Sequence, residues 1–159
     1  MKKAMKRRDR ESGQSLVEFA LVVPLLFLLL FGSIEFGRVF HAQLVITSAA
    51  REGARKAIVT GNASLIEDAV KKSTITLKSG TIQYFQKTKA DLEAGIPPNS
   101  NTVWYAIDYP DDPPGVRTYG NSVAIYVKAR VDIIVPLISS IIGNPRPIPA
   151  NAVMRVETG

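Results

Sequence analysis

The 159-residue chain has room for one membrane-crossing helix and one modest folded domain. It carries 20 Lys/Arg against 14 Asp/Glu, but Met1–Ser12 alone holds Lys2, Lys3, Lys6, Arg7, Arg8 and Arg10 against Asp9 and Glu11. Most of the net positive charge is therefore an N-terminal flag, and no nucleic-acid partner is expected. The absence of cysteine and the single histidine exclude disulfides, thiolate chemistry and a histidine-rich metal centre.

Residues 1–13 read as a basic cytoplasmic leader. Behind it, Phe19–Ile34 contains no charge and Leu25–Phe31 is unbroken Leu and Phe. Counted as a helix from Gln14 to Ile34, the segment rises about 31 Å, close to the ~30 Å hydrocarbon core of a bilayer. A Lys/Arg cluster ahead of such a run stays in the cytoplasm, so residues beyond Glu35 are expected outside the inner (cytoplasmic) membrane. The run exceeds a secretory signal core and no small-x-small exit follows it, since bulky Phe36 occupies the best site. A retained transmembrane helix over 14–36 is the expectation, with a bend at Pro24 because proline deletes a backbone hydrogen bond. Glu18 is the ionisable group inside the apolar segment, and a carboxylate there is a functional-site hypothesis by default.

Helical periodicity continues from Arg38 to Ile58. Val39, Ala42, Ile46, Ala49, Ala50, Gly53, Ala54 and Ala57 share one face; Arg38, His41, Ser48, Arg51, Glu52, Arg55 and Lys56 share the other, with Leu44 and Val45 misplaced. The spacing predicts one long helix from about Ser15 to Thr60, half in lipid and half amphipathic, stopping at Gly61-Asn62. Its Ala/Gly face suits close packing, on the protein's own sheet or on another subunit. Ser64–Leu77 follows as a shorter helix capped by Asn62 or Ser64. Thr81–Gln86 is a candidate strand, and Val103–Tyr109 alternates. Val123–Ile133 alternates most clearly, with Tyr126, Lys128, Arg130 and Asp132 on its wet side. Val135–Ile142 is a short helix or packed loop, and Ile148–Glu157 a last strand with Ala150, Ala152, Met154 and Val156 inward. The class is α+β: a long N-terminal helix, a short helix, and a small antiparallel sheet within an extracytoplasmic domain over 37–159, of which 37–60 continue the long helix.

With these residues placed, Gly13-Gln-Ser-Leu-Val-Glu-Phe resembles the processing site of type IV-type prepilins, and the wider pattern resembles the TadE-like family of the tight-adherence (Tad/Flp) pilus system. The resemblance rests on Glu18–Leu26, Phe31–Arg38, Ala49–Arg55 and, more weakly, Ala150–Glu157. It implies a pilin-like fold and a minor pseudopilin in pilus assembly. Prepilin peptidase would cut after Gly13, leaving Gln14 as the new N-terminus and Glu18, followed by Phe19, as the pilin-type glutamate. The implied partners are that peptidase, the bilayer and other pilin or pseudopilin subunits. No cofactor, small-molecule substrate or enzymatic activity is implied. Gln14 departs from the phenylalanine of type IVa pilins, which argues against N-methylation. Physically, a carboxylate in lipid needs a partner or a proton, and the α-amine of a neighbouring mature subunit would fix axial register; the plainer alternative is that Glu18 lies hydrated in the headgroup zone near the cytoplasmic face.

Other residues read more plainly. Glu35 and Arg38 bracket the outer membrane edge as a local ion pair or a subunit contact. Arg51, Glu52 and Arg55 form a solvated helix face or an electrostatic docking strip. Asp108, Asp111, Asp112 and Asn121 could offer calcium ligands, but turn chemistry explains them more cheaply. His41 has no converging base, orienter and oxyanion hole around it. The competing reading of the whole is an uncleaved, membrane-anchored binding module.

Overall fold

The computed structural model describes residues 5–77, 81–113 and 116–156, with side chains from Gly13 onward. The N-terminal residues Met1–Ala4, the side chains of the remaining leader and the strand end at Glu157 lie outside the described residues. The chain divides into two compact units, Met1–Gly37 and Arg38–Gly159.

Helix α1 spans Met5–Val59 and continues on both sides of Pro24. In the second unit α1 is amphipathic as its sequence pattern requires. Ala42, Ile46, Ala49, Ala50, Ala54 and Ala57 are buried, while Arg38, His41, Ser48, Arg51, Glu52, Arg55 and Lys56 are exposed. The two misplaced residues separate: Val45 is buried and Leu44 is exposed. Helix α2 covers Ala63–Thr74, and the side chain of its N-cap Asn62 accepts a hydrogen bond from Ser64 N at 3.0 Å.

Four strands form one sheet in sequence order: β1 (Gln83–Gln86), β2 (Thr102–Asp108), β3 (Ser122–Val131) and β4 (Arg146–Arg155). The β2–β3 and β3–β4 pairs are antiparallel, with Ile125 opposite Ile107 on one side and Ala152 on the other. The sheet is mixed, however, because β1 runs parallel to β2. The reason is the connection: helix α3 (Lys89–Ala94) lies between them, and a crossover of that kind returns the chain in the same direction. The class remains α+β as read from sequence, with a parallel edge in place of a wholly antiparallel sheet.

The core lies between α1, α2 and one sheet face, built from Ala49, Ala50, Ile66, Val70, Val103, Tyr105, Ile125 and Val127 among others. Gly53 marks the closest approach: a Cβ there would lie 3.0 Å from Val70 Cγ2 and 3.1 Å from Ile125 Cγ2. The Ala/Gly face of α1 is thus used, at least over these turns, for packing on the protein's own sheet.

The opposite sheet face corrects one expectation. Lys128, assigned to the wet side of β3, is buried, because α3 and the turn after it cover that part of the sheet. Its Nζ donates to Leu92 O at 2.7 Å, Glu93 O at 3.2 Å and Gly95 O at 2.6 Å, so it closes the carbonyl end of α3. Neighbouring Arg130 is half-buried, bonded to Asp132 Oδ1 and to Pro98 O. Arg117 plays the same capping part for α1, donating from Nη2 to Ile58 O at 2.7 Å.

Two substitutions probe this packing. Gly53→Val inserts atoms where no gap exists and should lower stability by about 1–3 kcal/mol, read as a fall in the urea midpoint of the detergent-solubilised chain. Tyr105 OH donates to Glu67 Oε2 at 2.7 Å, and Glu67 also pairs with Lys71 at 2.7 Å. The bond from Lys71, then that from Tyr105, holds the Glu67 carboxyl below its ordinary 4.5, so its contribution is complete above that pH and is lost as the pH falls through the lowered value. Burial, reinforced by Glu67, pushes the Tyr105 phenol well above 10.0, so the unfolded chain loses that proton first and stability falls as pH rises past 10.0. Tyr105→Phe should cost about 1 kcal/mol at neutral pH, remove that alkaline loss and flatten the acid one. Unfolding midpoints across the pH range check both limbs.

Candidate functional site

The feature of the first unit that calls for a partner is the apolar stretch of α1. Leu16, Val17, Phe19, Leu21, Leu25, Leu29 and most of their apolar neighbours are exposed, from 41 % at Leu28 to 74 % at Leu21, with Val23 half-buried. A helix that is apolar all round and uncovered needs an apolar solvent or another apolar surface. Each large side chain taken out of water contributes about 1.5–3 kcal/mol, so a dozen make the transfer worth on the order of 20 kcal/mol. Polar demands inside the stretch are met locally, since Ser33 Oγ donates to Leu29 O at 2.8 Å. Phe27 and Phe31, one turn apart, stack with centroids 5.8 Å apart.

The residues singled out from sequence fall at distinct places on α1. Gly13 is exposed and helical, and a Cβ built on it meets nothing within 4 Å. Nothing among the described residues therefore requires glycine there, although glycine inside a helix costs about 0.5–1 kcal/mol relative to alanine. Gln14, Glu18 and Phe19 are likewise exposed, on the turns that follow. Pro24 sits mid-stretch. Glu35 is buried at 2 % exposure, unlike every apolar neighbour around it, whereas Arg38 is exposed. Arg51, Glu52 and Arg55 stand on the solvated face, where Arg55 Nη1 and Glu52 Oε2 approach to 3.4 Å with both side chains at least half exposed. Such a pair contributes little to stability.

In the second unit, Arg38 and His41 line an open depression of about 440 Å³ together with Leu77, Arg130, Asp132 and Ile134. Among the described residues no group of three His, Cys, Asp or Glu is arranged to hold a metal. The acidic cluster of the β2–β3 connection is engaged in turns. Asp112 accepts from Thr118 N and Asn121 Nδ2, Asp111 accepts from Ser122 N, and Asp108 pairs with Lys89 at 3.6 Å. These bonds hold the Asp112 and Asp111 carboxyls below their ordinary value, with Thr118 and Ser122 as the leading causes.

Helix α4 (Pro136–Ile142) has no buried residue. This segment, a short helix or a packed loop by sequence, is a helix, with Leu137, Ile141 and Ile142 exposed and Ile138 half-buried. Its apolar composition was visible, but its lack of cover was not.

Residues 13–55 match the family model described as TadE-like protein, the family that the sequence resembles. The match covers α1 from Gly13 to Arg55, about a quarter of the chain, and does not extend to the Ala150–Glu157 tail. No curated protein and no solved structure matches the chain. The match and the apolar helix fit a pilus-associated membrane protein, and the helix is compatible with a single-pass anchor.

A paired substitution in the stretch tests that anchor. Leu26→Arg with Leu30→Arg should move the protein from the carbonate-resistant membrane pellet to the supernatant, because each central arginine costs about 2.5–3.5 kcal/mol on insertion. Retention in the pellet would argue against the helix as the attachment.

Proposed function

We propose, on the premise that residues 13–55 are TadE-like, that the protein is a minor pseudopilin of a Tad/Flp-type pilus. In this reading it is held in the inner membrane with its N-terminus cytoplasmic and its second unit outside. A prepilin peptidase cuts after Gly13, and the helix beginning at Gln14 then enters, or primes, a pilus by packing against other pilin-type helices. The protein is a structural and assembly subunit and not an enzyme.

One observation carries the reading. A helical glycine, exposed and without a steric role among the described residues, stands five residues before a carboxylate, at the head of an uncovered apolar helix. A residue that the fold does not need is explained by something that reads it from outside the fold. A protease closing on the backbone is such a reader, since absence of a Cβ lets another surface approach. The apolar helix serves both states of such a subunit: lipid solvates it before assembly, and neighbouring helices cover it afterwards. Glu18 then has a use in each neighbour contact, as the acceptor for the new α-amine at Gln14, and this pairing sets the axial register.

The test is the intact mass of membrane-extracted protein made with and without a cognate prepilin peptidase. The expected result is a species that lacks Met1–Gly13, formed only with the peptidase. Gly13→Leu should abolish that species without lowering the urea midpoint of the chain, since a Cβ there meets nothing and leucine favours the helix more than glycine does. A full-length chain under every condition would sink the pseudopilin and leave an anchored binding module.

A further inference from the structure

The second unit displays an apolar element that nothing so far described uses. From Ile133 to Gly143 there is no charged residue. Within that stretch Ile134 is 69 % exposed, Leu137 54 %, Ile141 75 % and Ile142 42 %. This is no loose excursion. Asn144 clasps its base, accepting from Ile133 N through Oδ1 at 3.1 Å and donating from Nδ2 to Ile133 O at 3.2 Å. At the far end of α4, Gly143 adopts φ +82°, which glycine takes readily, and its N–H returns to Ser139 O at 3.0 Å.

Two observations say what covers it. The first is position. Ile134 lines the same depression as Arg38 and His41, and Arg38 is the first residue of the second unit, directly after the apolar stretch in the chain. The second is how α4 treats its polar groups. Ser139 Oγ donates to Pro136 O and Ser140 Oγ to Leu137 O, each at 2.8 Å, so both hydroxyls are satisfied within the helix. The serine hydroxyls of α4 therefore do not oppose the entry of this segment into a lipid interface. Arg38 lines the same depression and Arg146 follows the segment in the sequence, while Arg130 is paired with Asp132, a local excess of positive charge suited to anionic headgroups. A seven-residue helix is far too short to span a bilayer, but it can lie with its apolar side chains about 5–10 Å into the headgroup boundary. It is also small for a protein partner, because stable interfaces use about 20–30 residues a side.

We propose that α4 and Ile134 form an interfacial membrane foot, resting in the leaflet that the apolar stretch of α1 meets at its Arg38 end. The protein then touches the bilayer at two points, the helix and the foot, and the foot must let go when the subunit leaves the membrane. This inference rests on the reading of α1 as a membrane anchor.

The chain has no cysteine, so single-cysteine variants of the full-length protein report single sites. Leu30→Cys, Leu137→Cys, Ile141→Cys and Val59→Cys would each carry an environment-sensitive fluorophore in phosphatidylcholine/phosphatidylglycerol vesicles. Quenchers would be lipids spin-labelled in the headgroup or deep in the chain. Val59 is 73 % exposed and stands about 32 Å along α1 from Arg38, so it serves as the distant control. The foot predicts that Leu137 and Ile141 probes lose most of their emission to the shallow quencher. The Leu30 probe should respond to the deep quencher and the Val59 probe to neither. Quenching at Leu30 without quenching at Leu137 and Ile141 overturns the foot and leaves the anchor standing. No quenching at Leu30 removes the anchor, and the foot with it. Shielding at Ile141 that ignores both lipid quenchers and fades as protein is diluted into lipid assigns the face to a second copy, which also overturns the proposal.

Discussion

How closely α1 can approach the sheet decides the rest of the second unit. Alanine at 42, 49, 50, 54 and 57 and glycine at 53 remove the side-chain bulk that normally separates a helix from the surface beneath it. Small residues bury little area each, so the larger side chains must come from the other side of the contact. Val70 from α2 and Ile125 from β3 meet over Gly53, with Ile66, Val103 and Val127 around them. The register of β3 follows from this. A slip of one residue would turn Val123, Ile125, Val127 and Ala129 away from α1 and bring Tyr126 and Lys128 against it.

Once that layer is set, the remaining polar work is done by a few long side chains reaching across from other elements. Helix ends leave carbonyls without partners, and a cation there meets both the hydrogen-bond deficit and the dipole. Lys128 supplies this to α3 and Arg117 to α1, each from a segment distant in sequence. Among the described residues no buried side-chain polar atom is left without a partner. Long basic residues thus act here as ties between elements. This gives a structural use to Lys128 and Arg117, two of the basic residues outside the leader.

The two units present opposite problems. In the second, apolar surface is mostly covered and polar groups are paired. In the first, apolar surface is uncovered along its length, and the residues that differ from their surroundings, Gly13 and Glu18 at one end and buried Glu35 at the other, mark the ends of the stretch. A helix of this kind completes its packing outside the chain. The match of residues 13–55 falls on that stretch and on the small-residue turns that hold the second unit together, so the pilus-associated reading draws on both.

Much of this was legible in the sequence because it depends on local periodicity. The continuation of α1 to about Thr60, its Ala/Gly face and a cap at the start of α2 follow from spacings within one element, and the structure shows them, with Asn62 as the cap. However, α1 begins earlier than its pattern suggests, at Met5, and Ala124 and Lys128 are buried on the face of β3 that its alternation marks as wet. Thr88 and Asp91 also carried a readable capping signal, with Thr88 Oγ1 accepting from Asp91 N, yet α3 is only six residues long and its pattern is too short to stand out. The parallel course of β1, the burial of Lys128 and the exposure of α4 were not legible, because each depends on what another segment does in space. Lys128 alternates as a solvent-facing residue must, and only the arrival of α3 over it makes it internal. Ile134, Leu137 and Ile141 are apolar as core residues are, and only the absence of a covering element leaves them outside. The sequence by itself determined which surfaces want water and which do not, since that is a property of side chains and their period. Tertiary structure alone decided which of those surfaces found a partner within the chain, since that depends on contacts between residues far apart in sequence.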